Sequence, residues 1–134
     1  MCFNTEGDWI AEVIEESEHV ADKEIRCIEC DEKILIGETF HHTRMVENEE
    51  SDEYAASFEA DTCMNCRAFL AAIEAVEIAE GCHLYEARPN VGQLFDELNS
   101  IGIKRSRKYF QSLLAMNPGL RDYAARFWRN LFKG

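Results

Sequence analysis

Apolar side chains recur along this chain with two different periods, and the changes between them predict its elements. Trp9, Ile10, Val13 and Ile14 follow one another at helical spacing, while Glu12, Glu15, Glu16 and Glu18 fall largely outside that stripe. Val20 fits the stripe less well. The spacing predicts a short acidic amphipathic helix over residues 6–20, with Thr5-Glu6-Gly7-Asp8 as a capping box that satisfies its first free amides.

From Ile25 to Phe58 the grain is different. Ile34-Leu35-Ile36-Gly37-Glu38-Thr39-Phe40 is rich in β-formers around a glycine turn, and His41 to Glu47 can continue it. Asn48-Glu49-Glu50-Ser51-Asp52-Glu53 reads as a charged hairpin tip, and Tyr54 to Phe58 as a returning strand. After Cys66 the helical period resumes. Phe69, Leu70, Ile73 and Val76 form a stripe stopped by Gly81. Leu94, Phe95, Leu98 and Ile101 form a second stripe, opened by Asn90-Val91-Gly92-Gln93 and ended by Gly102. Tyr109, Phe110, Leu113 and Leu114 form a third, closed by Asn117-Pro118-Gly119. Leu120, Tyr123, Ala124, Phe127, Trp128 and Leu131 form the fourth.

The 134 residues are 46% apolar, enough for a packed core and too much for a disordered chain. No apolar run approaches the roughly 18 residues that a membrane-spanning helix needs. The opening Met-Cys-Phe-Asn-Thr-Glu-Gly-Asp lacks the basic and apolar regions of a signal peptide, so a cytoplasmic protein with reduced thiols is expected. Charge is divided unevenly. Residues 104–134 hold eight bases and one acid, net +7, and residues 1–103 hold six bases and 25 acids, net −19, which makes −12 overall. Such asymmetry suggests two surfaces with different partners, or two segments that dock on each other.

Chemistry concentrates in the cysteines. Of six, Cys27, Cys30, Cys63 and Cys66 form two Cys-x-x-Cys pairs. A structural zinc ion takes four tetrahedral ligands and favours thiolate sulfur, and each such turn presents two sulfurs to one side of a metal. The first pair precedes the predicted hairpin and the second opens a predicted helix, whose positive end favours thiolates. Knuckle, hairpin and ligand-bearing helix start, in that order, are the treble-clef arrangement. The expected fold is therefore α+β: a zinc-bound, treble-clef-like core over residues 25–81, preceded by the N-terminal helix (1–24) and followed by a helical C-terminal region with a basic tail (82–134). Arg26, Lys33 and Arg67 flank the ligands and are candidates to offset the −2 charge of a four-thiolate zinc. Four buried free cysteines, or two redox pairs, are the alternatives, and the βαβ context of a thioredoxin-like redox motif is missing. Cys82-His83 could serve a second metal with His41 and His42, but no ligand spacing supports that, and it reads as a buried cysteine next to a surface histidine. Cys2 reads as a bystander.

Arg26-Cys27-Ile28-Glu29-Cys30-Asp31-Glu32-Lys33-Ile34, then Gly37-Glu38-Thr39-Phe40, then Cys63-Met64-Asn65-Cys66 resemble small treble-clef zinc proteins encoded by phages and prophages. The stretch from Gly81-Cys82 to Gly92-Gln93-Leu94 is similar to their segment after the helix. The resemblance covers about residues 25–100 and implies zinc and a phage origin, not an activity, and leaves the basic tail outside.

Three functions are compatible with this pattern. The first is an accessory protein that binds and modulates an intracellular host or phage protein, a basic nucleic-acid-handling protein being the class that a −19 region would attract. Its candidate contacts are Glu47, Glu49, Glu50, Asp52 and Glu53. The second is nucleic-acid binding by Lys104, Arg105, Arg107 and Lys108 with Tyr109 and Phe110. The basic helices docking on the acidic part of a second copy, as a homodimer, are the third. Catalysis by an HNH-type nuclease would use His41-His42 on the first strand. The histidine that should follow Cys66 is absent, and the acids between would repel phosphate. No enzyme is expected.

Overall fold

The computed structural model describes residues 11–47, 57–83, 89 and 91–131. Within them the chain is a mixed α/β protein with a small antiparallel sheet and four α-helices. It divides between Met64 and Asn65 into two compact units.

The first unit is built of strands. β1 (Ala11–Val20), β4 (Thr39–Glu47) and β5 (Ser57–Cys63) form a three-stranded sheet in the order β1-β4-β5. β2 (Ile25–Arg26) and β3 (Lys33–Ile34) form a two-stranded ladder that brackets the first cysteine turn. The predicted hairpin is present, with β4 and β5 antiparallel from Val46 opposite Ser57 to Phe40 opposite Cys63. The returning strand runs on to Cys63 rather than ending near Phe58. Tyr54 to Ala56 and the charged tip lie outside the described residues. Along β4 the expected alternation is plain: His41, Thr43 and Met45 are buried, and Phe40, His42 and Arg44 are partly exposed. Ala60 and Thr62 of β5 are buried on the matching phase.

The predicted N-terminal helix is not formed: residues 11–20 are a strand, and residues 6–10 lie outside the described set. Two facts explain the difference. Isolated helices of this length are marginal without tertiary packing, so pairing decides the outcome. The adjacency of Val13 and Ile14, which suits a helical stripe, is absorbed by a register shift. Val13 pairs with Met45 and Glu15 with Arg44, leaving Ile14 as the extra residue of a bulge. Ladder neighbours then answer the acids, with Glu15 3.2 Å from Arg44 Nε and Glu16 3.4 Å from His41 Nε2.

The second unit is helical. α1 (Met64–Ala79), α2 (Leu94–Ile101), α3 (Ile103–Met116) and α4 (Arg121–Leu131) match the four predicted stripes, with one 3-10 turn, Pro118–Leu120, before the last. Gln93 occupies the position before α2 without a side-chain cap. Gly102 separates α2 from α3 at φ +93°, a conformation that side-chain-bearing residues rarely adopt. Its neighbour Ser106 donates from Oγ to the Leu98 carbonyl at 2.8 Å, which ties the two helices together. Phe69 is fully buried among Phe110 at 4.7 Å, Tyr123 at 6.2 Å and Phe95 at 6.3 Å between ring centroids. Leu94, Leu98, Tyr109 and Leu113 are fully buried beside it in the same unit. No helix among the described residues is long and apolar enough to cross a membrane.

Phe69 is therefore a central packing residue of the helical unit. Phe69→Ala is expected to cost about 3–5 kcal/mol in urea unfolding through lost burial and the cavity left behind. Ile103→Ala, at a half-exposed position, should stay within about 1 kcal/mol of the parent.

Candidate metal centre

The first cysteine pair is positioned by backbone. Cys27 N donates to the Glu32 carbonyl and Asp31 N to the Cys27 carbonyl, each at 2.9 Å, closing a tight turn between β2 and β3. Asp31 completes it at φ +59°, a left-handed position that Asp tolerates better than most residues. Arg26 donates to the Asp31 carbonyl at 2.8 Å and braces it. Ile28 N then donates to the Asp61 carbonyl of β5 at 2.8 Å, fixing the turn two residues before Cys63.

Cys63 ends β5 and Cys66 lies on the first turn of α1. The four sulfurs of Cys27, Cys30, Cys63 and Cys66 lie within 4.8 Å of one another. None of the four is in a disulfide. The separation of Cys30 and Cys63 Sγ is 3.9 Å. Ligands about 2.3 Å from a tetrahedral zinc stand roughly 3.8 Å apart, so this donor set fits such an ion. Cys27 and Cys66 are essentially inaccessible to solvent. Cys63 N donates to Cys27 Sγ at 3.3 Å, and the Tyr123 hydroxyl lies 3.0 Å from Cys66 Sγ, where it can donate to a thiolate. Both would withdraw charge from a thiolate. Arg26 and Lys33 are differently engaged from what the sequence suggests. Each is exposed and turned to a carboxylate, Asp31 at 3.7 Å and Glu24 at 3.5 Å.

The other predicted residues are not gathered here. Glu47 ends β4, and Glu49, Glu50, Asp52 and Glu53 lie outside the described residues. Lys104, Arg105, Arg107 and Lys108 lie on the first turns of α3, and two of them are occupied. Arg105 holds Glu77 at 2.6 Å and also bonds Glu80, while Lys108 meets Glu80 at 2.7 Å. Those two bonds hold the Glu80 carboxyl down at about 2, and Glu80 with Glu77 pushes the Arg105 guanidinium up. Arg107 lies over the Trp128 ring at 5.9 Å. Cys82 is buried as expected but is held in a disulfide, a state that the reduced-thiol expectation did not include; His83 is exposed. Cys2 lies outside the described residues. Among the described residues no group with His41 and His42 forms a second metal cluster.

Four partners escape a reading of the sequence alone. Asp61 accepts from His42 Nδ1 at 2.6 Å, and Glu59 lies 3.5 Å from His42 Nε2. Together they raise the imidazole above its usual 6.5, the Asp61 bond first. Glu77 is fully buried, bonded by Arg105 and the Tyr109 hydroxyl. Its signal was there: Glu77 falls four residues after Ile73 on the buried stripe of α1. Tyr123 was legible only as a core aromatic whose hydroxyl needs a partner.

These observations define a mixed α/β protein with a partly buried, four-thiol site able to hold one metal ion. No family model matches the chain, and no curated protein and no solved structure is significantly similar to it.

Removing Arg105 would strand Glu77 as a buried charge, so Arg105→Ala is expected to cost about 3–5 kcal/mol of stability, whereas Lys104→Ala should be near neutral in the same denaturant titration. For His42, a ring titration followed by NMR should show a midpoint above 6.5 that falls in Asp61→Asn. Because its folded value is raised, the stabilisation is complete below about pH 6.5 and is lost as pH rises through the folded midpoint.

Proposed function

We propose that Cys27, Cys30, Cys63 and Cys66 bind one structural zinc ion in a treble-clef-like site, and that the protein is a phage-type accessory module that binds and modulates another intracellular protein. The observation that carries this reading is the convergence of four thiols, two of them buried and none in a disulfide, from a knuckle turn and a helix start. The order of β2–β3 knuckle, β4–β5 hairpin and α1 favours the treble-clef description. Four protein sulfurs complete a tetrahedron and leave no position for water or substrate, which favours a structural ion over a catalytic one.

The nuclease alternative loses support from both sides of His42. Its ring nitrogens face Asp61 and Glu59, and α1 carries no histidine along its length. The nucleic-acid alternative loses Arg105 and Lys108 to internal carboxylates, leaving Lys104 and Arg107 against a net charge of −12. A basic protein partner suits the acidic part of the chain better, with Glu47, Glu49, Glu50, Asp52 and Glu53 still a proposed contact.

Metal analysis of the purified protein should give about one zinc per chain. A strong chelator should remove it with loss of tertiary structure around the site, and Cys27→Ser or Cys66→Ser should behave like the stripped protein. Unchanged stability after complete removal would refute the structural role. Reversal of Glu47, Glu49, Glu50 and Glu53 to Lys should slow association with a captured protein partner while zinc content stays at one per chain.

A further inference from the structure

β1 is the outermost strand of its sheet. Its inner edge is paired with β4 along its whole length, from Ala11 opposite Glu47 to Val20 opposite Thr39. Among the described residues no strand pairs with its outer edge. Ten residues of extended chain thus offer a row of N–H and C=O groups, and every side chain from Glu15 to Val20 is exposed. Edge strands are commonly protected by shortness, by proline or by lysine. This one is long and has neither residue; a bulge and a row of acids are its only such devices.

That row selects an occupant. Glu15, Glu16 and Glu18 would meet the acids of a second copy if two β1 edges joined, and like charges across a ladder are unfavourable. The inner neighbour shows what the acids accept, since β4 sets Arg44 against Glu15 and His41 against Glu16. A strand on the outer side would meet the same acids. A second feature lies at the end of β1. Ala21 N donates to the Glu38 carbonyl at 2.9 Å and Gly37 N to the Ala21 carbonyl at 2.8 Å, which holds the turn 35–38 against that end. Val20, Leu35 and Ile36 are there, 65%, 52% and 70% exposed. Exposed apolar side chains grouped beside an open, acidic edge suit an anchor residue of a docked chain.

We propose that the outer edge of β1 takes up an extended, basic segment of a partner protein as an added strand, with its Lys or Arg side chains on Glu15, Glu16 and Glu18 and an apolar residue on Val20, Leu35 and Ile36. This rests on the protein-binding reading and supplies a contact for it within the first unit. Backbone bonds along the edge provide the affinity, and the glutamates exclude acidic strands and a second copy.

The test uses the zinc-loaded full chain and three synthetic ten-residue peptides: one alternating Lys and Val with a terminal Leu, the same peptide N-methylated at every second residue, and its Glu-for-Lys counterpart. Binding is followed by amide shifts and by hydrogen exchange at low and physiological salt. The Lys-Val peptide should bind saturably and slow exchange across residues 11–20, and the other two should not bind. Glu18→Lys together with Glu16→Lys should weaken it roughly tenfold, as expected for two exposed charge contacts. Val20→Asp, which leaves the acids in place, should weaken it as well. Equal binding of the N-methylated peptide would reduce the contact to ionic adsorption and overturn the proposal. So would failure of the Lys-Val peptide to bind, or self-association that Glu18→Lys abolishes. A protein partner that the full chain captures equally well with Val20→Asp and Glu18→Lys would leave the protein-binding reading intact and remove β1 from it.

Discussion

One backbone hydrogen bond, from Ile28 N to the Asp61 carbonyl, sets the position on which the cysteine cluster depends. It anchors the 27–30 turn to β5 two residues before Cys63, and Cys66 follows one helical turn later on α1. The register of β4 on β5 fixes the rest. A slip of one residue would exchange the buried and exposed faces of β5 and carry Cys63 away from the turn. The alternation of buried His41, Thr43, Met45, Ala60 and Thr62 opposes that slip, so ordinary sheet patterning holds the sulfurs in place. Side-chain reach contributes little, because a cysteine has only one rotatable bond between its backbone and its sulfur.

Local signals carried most of the architecture. The four helical stripes, the hairpin between the cysteine pairs and the pairing of those cysteines could all be read from spacing, since each depends on residues close in sequence. What could not be read depends on residues far apart. β1 looks helical until β4 lies beside it with a bulge at Ile14, and only then do Glu15 and Glu16 meet Arg44 and His41. Tyr123 lies 57 residues from Cys66, and Asp61 lies 19 from His42. The two basic groups at α3 that suggested phosphate contacts are spoken for by Glu77 and Glu80, at and just past the end of α1, 25 to 28 residues earlier in the chain. A composition count registers those cations but not the carboxylates that hold them.

Charge in this protein accordingly has two distinct uses. In the helical unit, opposite charges are brought together: Arg105 and Lys108 close on Glu77 and Glu80, and Glu77 is wholly inaccessible. That arrangement makes the Arg105–Glu77 pair a positional constraint more than a source of net stability, because burying Glu77 and much of Arg105 offsets a large part of their attraction. In the strand unit, acids are set out along an exposed strand, where water screens them and where their cost is small. Glu15 and Glu16 already lie beside Arg44 and His41, yet with Glu18 they stay exposed, so this second kind is the more open to another molecule.

Function turns on that difference. Four cysteines that together held one metal ion would leave it no vacant coordination position with which to act. The basic cluster on α3 is half consumed by its own unit. What remains is surface, and β1 combines a backbone edge left unpaired among the described residues, a row of exposed glutamates and, at its end, exposed apolar side chains on a turn held by two backbone bonds. Each of these features alone is common among soluble domains. Their coincidence at one strand and its end matters to the proposed contact because they would act on different properties of a partner: the edge on its backbone, the acids on its charge, and Val20, Leu35 and Ile36 on one side chain. A rigid fold around the cysteines would present all three in a fixed relation. A metal held by those cysteines would then serve binding through that rigidity, without touching the partner.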